Sequence, residues 1–122
     1  MEKEDFGRHV AQLVRENKWN ELFNIIYGIG LPAGWEEMIK PLFDEYLGKP
    51  VESSIIPAAE IPEHQQDWLR KAPRDIQDRL EFAIKLAYET VYSKDNEESG
   101  EFILPIIFID QKWMLLLVGP GT

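Results

Sequence analysis

Phe102-Ile103-Leu104-Pro105-Ile106-Ile107-Phe108-Ile109, then Asp110-Gln111-Lys112, then Trp113-Met114-Leu115-Leu116-Leu117-Val118 reads as two apolar strands around a short polar turn. A strand with one wet face alternates apolar and polar residues; this one does not. One face of the first strand carries Phe102, Leu104, Ile106 and Phe108, and the other carries Ile103, Pro105, Ile107 and Ile109. In the second strand Trp113, Leu115 and Leu117 oppose Met114, Leu116 and Val118. Burying each such side chain is worth about 1.5–3 kcal/mol, so neither face can stay in water. Three arrangements satisfy this: helices over both faces, packing on a second copy, or one face kept for another protein. The turn lacks the Asn-Gly pair of the tightest hairpins. Pro105 cannot donate to a ladder, which places the first strand at a sheet edge there.

Upstream, Ser93–Glu101 is polar and acidic and reads as an exposed loop. Residues 74–92 read as the longest helix. Pro73 stands at its start, and Ile76, Leu80, Ala83, Ile84, Ala87 and Val91 form a helical stripe. A short helix over 63–72 is anchored by Trp68 and Leu69. Residues 51–62 form a connector in which Val51, Ile55 and Ile56 suit a short edge strand between prolines. Residues 34–47 read as a helix carrying Trp35, Met38 and Ile39 on one side, with a kink or break near Lys40 imposed by Pro41. Residues 20–29 read as a nearly all-apolar helix capped by Asn20, and 5–18 as an amphipathic helix capped by Asp5, with Phe6, Val10, Leu13 and Val14 inward. The expectation is a single α+β domain over 1–122, with four to five helices packed on a small antiparallel sheet built around the C-terminal hairpin.

Composition narrows the chemistry. At 44% hydrophobic residues the chain can build a core. It has no cysteine, which removes disulfide scaffolds, thiolate metal sites and thiol nucleophiles. Met1-Glu2-Lys3-Glu4-Asp5 lacks the basic and apolar pattern of a secretory signal, and no apolar run approaches the roughly 20 residues of a membrane span. The chain reads as cytoplasmic. Its net charge is −9, and residues 1–50, 51–100 and 101–122 are each net acidic. Such a surface repels nucleic acid and anionic membranes.

The search for a catalytic centre finds no candidate. His9 and His64 lack metal-ligand spacing and read as surface histidines. Asp75 and Asp78 share a helix face, as do Asp78 and Glu81, but nothing marks one carboxylate as desolvated, as acid–base work requires. Asp110, between Ile109 and Trp113, is the best candidate for a partly desolvated acid, and turn chemistry explains it equally well. Gly28-Ile29-Gly30 leads to Pro32 rather than a third glycine, so it is no phosphate cradle. Ser53, Ser54, Ser93 and Ser99 have no neighbouring base. No cofactor or metal is implied, and the reading leans away from an enzyme without closing it, because polar triads assembled through space do not show in a sequence.

What remains is a small acidic protein-binding module, of the inhibitor or immunity type, masking a basic protein partner such as a nuclease. The candidate partner-binding residues are Glu97, Glu98 and Glu101 in the loop, Asp75 and Asp78 on the long helix, and Trp68 in a polar setting that suits an interface anchor. The alternatives are a small-molecule or enzymatic pocket between hairpin and helices, lined by Trp113, Phe108, Tyr88 and Tyr92, and a homodimer through the hairpin.

Overall fold

A computed structural model describes residues 1–44, 51–93 and 96–119; for 42, 43, 89–93 and 96–99 it describes the backbone only. Among the described residues five α-helices and five strands follow in the order α1 (Lys3–Arg15), α2 (Trp19–Asn24), β1 (Ile26–Ile29), α3 (Trp35–Asp44), β2 (Glu52–Pro57), α4 (Glu63–Leu69), α5 (Arg74–Arg79), β3 (Phe82–Ser93), β4 (Asn96–Ile109) and β5 (Lys112–Val118). A 3-10 turn, Ala58–Glu60, sits between β2 and α4. The fold is α+β. The sheet has the order β1-β5-β4-β3-β2. It is mixed rather than wholly antiparallel, because β1 runs parallel to β5, pairing Ile26 with Leu115 and Ile29 with Val118.

Helices cover both faces, the first of the three arrangements open to an all-apolar hairpin. On one face Phe6, Val10, Leu13 and Val14 of α1 and Leu22 of α2 meet Ile84, Leu86, Leu104, Ile106 and Leu115. On the other, Ile61, Leu69 of α4, Ala72 and Ile76 of α5 meet Ala83, Ile103, Ile107 and Leu116. The hairpin side chains divide between the faces by strict alternation, because successive residues of a strand point to opposite sides. β4 and β5 are joined by the two-residue turn Asp110-Gln111, whose φ values of 52° and 65° are both positive. That is the sign pattern of a type I′ turn, built here without glycine.

Several expectations are overturned. Residues 74–92 are not one helix: α5 stops at Arg79, Leu80 turns extended, and Phe82–Ser93 is a strand. The spacing i, i+4 belongs to both a helix stripe and one face of a strand. Pairing with β2 and β4 on either side decided between them. For the same reason 20–29 splits into a short α2 and β1, where Ile26, Tyr27 and Ile29 suit a strand. Much of the expected loop 93–101 lies in β4, which begins at Asn96. α3 runs through Pro41 to Asp44. The carbonyl that proline leaves unpaired is that of exposed Glu37, where water can take it. α1 begins at Lys3, ahead of the expected Asp5 cap, and α2 begins at Trp19 rather than after Asn20.

β4 is interior, not an edge, despite Pro105. Its pairing with β5 nevertheless stops at Ile106↔Leu115, one residue short of the proline, while its pairing with β3 continues past it through Ala83↔Pro105. The expectation of an edge is therefore wrong for the strand as a whole, and the missing N–H still leaves a local mark.

Candidate functional site

The end of the β4–β5 ladder at Pro105 opens a groove of about 460 Å³. Its floor is the last stretch of β5, Leu116 to Gly119, with Pro105 across from it. One wall is α3, through Trp35, Met38 and Ile39, together with Leu31 and Pro32 of the preceding loop. The other wall is α4, through Gln65, Trp68 and Leu69. Leu116 and Val118 belong to one face of the sheet and Leu117 to the other, so the groove lies where the two faces meet. It is apolar apart from Gln65, and that side chain is committed: its Nε2 donates to the Ile103 carbonyl at 3.1 Å.

The lips carry large exposed apolar side chains. Met38 is 64% exposed and Trp68 44%. Lys71 lies 4.4 Å from the centre of the Trp68 ring. α3 places Glu36 and Glu37 in its first turn, with Glu37 bonded to Lys40 at 2.8 Å. α4 brings Glu63 and Asp67, the latter paired with Arg70. At the far end Gly119 is pressed against the β1–α3 loop. Its N–H donates to the Ile29 carbonyl at 2.7 Å, and a Cβ there would overlap the Gly30 carbonyl oxygen.

The residues singled out from sequence are dispersed. Trp68 alone lines the groove. Asp75 and Asp78 are exposed on α5, outside it. Glu101 is exposed on β4, with its carboxylate 3.3 Å from Lys85. The side chains of Glu97 and Glu98 lie outside those described. The pocket expected between hairpin and helices is not assembled from its proposed residues. Phe108 and Trp113 pack edge-to-face, 5.1 Å apart, at the turn end of the hairpin. Tyr88 is buried on β3 over Gly100, its partner in register, far along β4 from Phe108. Tyr92's side chain is outside the described set. Asp110 is exposed in the turn. Among the described residues no group of three His, Asp or Glu side chains could hold a metal, and no described helix is long and apolar enough to cross a membrane. Glu4, away from the groove, has its carboxyl held below the usual range chiefly by a hydrogen bond from its own backbone N–H.

Met38 and Leu117 are groove residues that the sequence reading assigned to core stripes. The one signal in the sequence was Pro105, a residue that cannot donate to a ladder, and it was read as a sheet edge rather than as a groove. No protein-family model, curated protein or solved structure matches the chain.

Proposed function

We propose that the protein is a cytoplasmic binding module that captures a basic protein partner through the apolar groove between α3 and α4. The observation that carries this reading is the exposure of Met38 and Trp68 on the lips of one apolar cleft. Leaving such side chains wet is costly unless something covers them, and a tryptophan at the edge of a pocket is a common anchor of binding energy. The net charge of −9 supports a cationic partner, whose approach the acidic surface speeds and orients. An inhibitor or immunity-type role, masking the cationic face of a protein such as a nuclease, fits both features. The hairpin's own demand for a cover is met from within the chain, so a homodimer is not needed to explain it.

The test is capture of a stoichiometric partner by the immobilised protein from lysate of its own cell, followed by affinity measurements on the identified, purified partner. The expected partner is basic, binds more weakly as salt rises, and loses roughly tenfold or more in affinity to Trp68→Ala. No stoichiometric partner at either low or high salt, or one indifferent to Trp68→Ala, would sink the reading. The groove's volume also suits a small apolar molecule. A rise in melting temperature with such a compound, abolished by Trp68→Ala, would favour that second reading.

A further inference from the structure

At the end of the sheet away from the groove, β2 is a terminal strand. It has six residues, and none of them is buried. The Ala58 N–H, one residue beyond β2, donates to the Glu81 carbonyl at 2.9 Å. That contact continues the register that pairs Pro57 with Phe82. Backbone groups alternate along an antiparallel ladder, so those of Glu52, Ser54 and Ile56 face β3 and those of Ser53 and Ile55 face outward. Pro57 fits the same parity, since a residue whose nitrogen points outward loses no ladder bond as proline. No described residue bonds to the outward backbone groups of Ser53 and Ile55.

α1 lies over one face of this edge. A Cβ on Gly7 would come to 3.4 Å from the Ser53 Oγ, so the Ser53 side chain points toward α1. Glu52 and Ser54 therefore point to the opposite face. Beside Ser53, between the flank of α1 and the edge of β2, runs a groove of about 450 Å³. Arg8, Gln12 and Arg15 line its helix side, at the i, i+4 and i+7 spacing of one helix face. Both arginines are exposed. Arg8 pairs with Asp5, and Arg15 has no ion pair among the described residues. Glu52 is the acid of the lining, and its side chain belongs to the far face. Strand edges are ordinarily blunted by lysine, proline or a bulge. β2 keeps a regular register from Glu52 to Pro57, and its proline stands only at the end.

We infer that the β2 edge takes an extended, acidic segment of another protein, which adds antiparallel to β2 through the outward backbone groups of Ser53 and Ile55 and sets carboxylates beside Arg8 and Arg15. This site is separate from the groove between α3 and α4, because β3 and β4 stand between β2 and β5. Strand addition supplies affinity through the main chain and specificity through alternate side chains. A residue paired directly with Ser53 shares its face. Every second side chain of the added strand thus lies along Arg8, Gln12 and Arg15, and the others lie on the face of Glu52, where an acid is repelled. The carboxylates therefore belong at alternate positions. Exposed charges more than about 8 Å apart are largely screened at physiological salt, so the two arginines outweigh the distant acids of the chain. The β2 strand of a second copy would bring its Ser53 and Ile55 to that face and no carboxylate.

Amide hydrogen exchange and peptide binding on the intact protein test this. In the free protein the Ser53 and Ile55 amides are expected to exchange about tenfold or more faster than those of Ser54 and Ile56, which face β3. The probe is a blocked peptide of about eight residues alternating glutamate and valine. Its binding is expected to slow Ser53 and Ile55 by about tenfold. N-methylation of its glutamate amides, which face β2 in this pairing, is expected to weaken it by about tenfold or more, and N-methylation of its valine amides by about twofold or less. Replacing its glutamates by lysine is expected to weaken it by about tenfold or more. Arg8→Ala combined with Arg15→Ala, both on the surface, is expected to weaken it by about fivefold or more. Trp68→Ala is expected to leave it unchanged.

Failure of the glutamate peptide to bind, or binding that leaves Ser53 and Ile55 unslowed, would overturn strand addition at β2. Equal binding of the lysine peptide, or indifference to the paired arginine variant, would overturn the acidic occupant. Sensitivity to methylation of the valines in place of the glutamates would set the carboxylates on the wrong face and overturn the pairing. Protection of Ser53 and Ile55 that grows with protein concentration in the absence of peptide would assign the edge to a second copy and overturn it equally. Loss of the peptide on Trp68→Ala would place it in the groove between α3 and α4 and reject this edge.

Discussion

Against α1 and α2 the sheet seals Leu22, Ile84, Leu86 and Ile106 from water, whereas against α4 and α5 Ile107 is the one large side chain sealed to that degree among the described residues. The first face has a thirteen-residue helix lying across it. The second has two short helices of seven and six residues. These leave the Lys85–Glu101 side of β3 and β4 in contact with water and the end of β5 in a groove. The difference separates a deep face from a thinly covered one within one sheet. The long amphipathic helix provides the depth of core that holds the fold, and the thin cover on the other side leaves surface that a partner can reach.

The comparison is broken most directly by truncation on each side. Leu22→Ala removes a side chain with no exposure and is expected to cost about 2–5 kcal/mol in chemical denaturation. Leu69→Ala, at the groove, is expected to cost only about 1–2 kcal/mol, because its site is thinly covered and can relax. Equal losses would show that the second face is as tightly built as the first. Gly119→Ala sharpens the boundary between them. The added methyl meets the Gly30 carbonyl, so a loss of about 1–3 kcal/mol is expected, with an altered groove end visible as shifts at Leu31 and Val118. An unchanged melting temperature would mean that β5 and the β1–α3 loop are not held together there. The smallest effect is expected on the wet part of the second face. Glu101→Gln removes an exposed ion pair with Lys85 and should change stability by about 0.5 kcal/mol or less. A larger loss would mean that this surface is covered in solution.

The parts of the fold that could be read from residues are those where only one period fits. Phe6, Val10, Leu13 and Val14 admit a helix and nothing else, and α1 forms there with those residues inward. The unbroken apolar run of 102–109 and 113–118 admits strands buried on both sides. The run 80–91 failed because its apolar residues fit a helix stripe, while Phe82, Ile84, Leu86 and Tyr88 also fit a strand face. Ile26, Tyr27 and Ile29 failed for a similar reason: four residues are too few to show a period, and only β5 alongside makes them a strand. Of the candidate site, Trp68 was legible because a tryptophan among polar neighbours is anomalous. Met38 was not, since a methionine on an apolar stripe looks like core until the wall it faces turns out to be missing.

By itself the sequence determined that the last strands must be shielded front and back, that the chain is acidic, and that Pro105 has no N–H to give to a ladder. These are properties of side-chain type and of a missing N–H, and no packing can change them. Only the tertiary structure decided which helix covers which face, that β1 joins β5 in parallel, and that the shortfall of cover falls beside Pro105 to make a groove. Those outcomes depend on contacts between residues far apart in the chain, such as Gln65 with Ile103 and Gly119 with Ile29, to which local periodicity is blind.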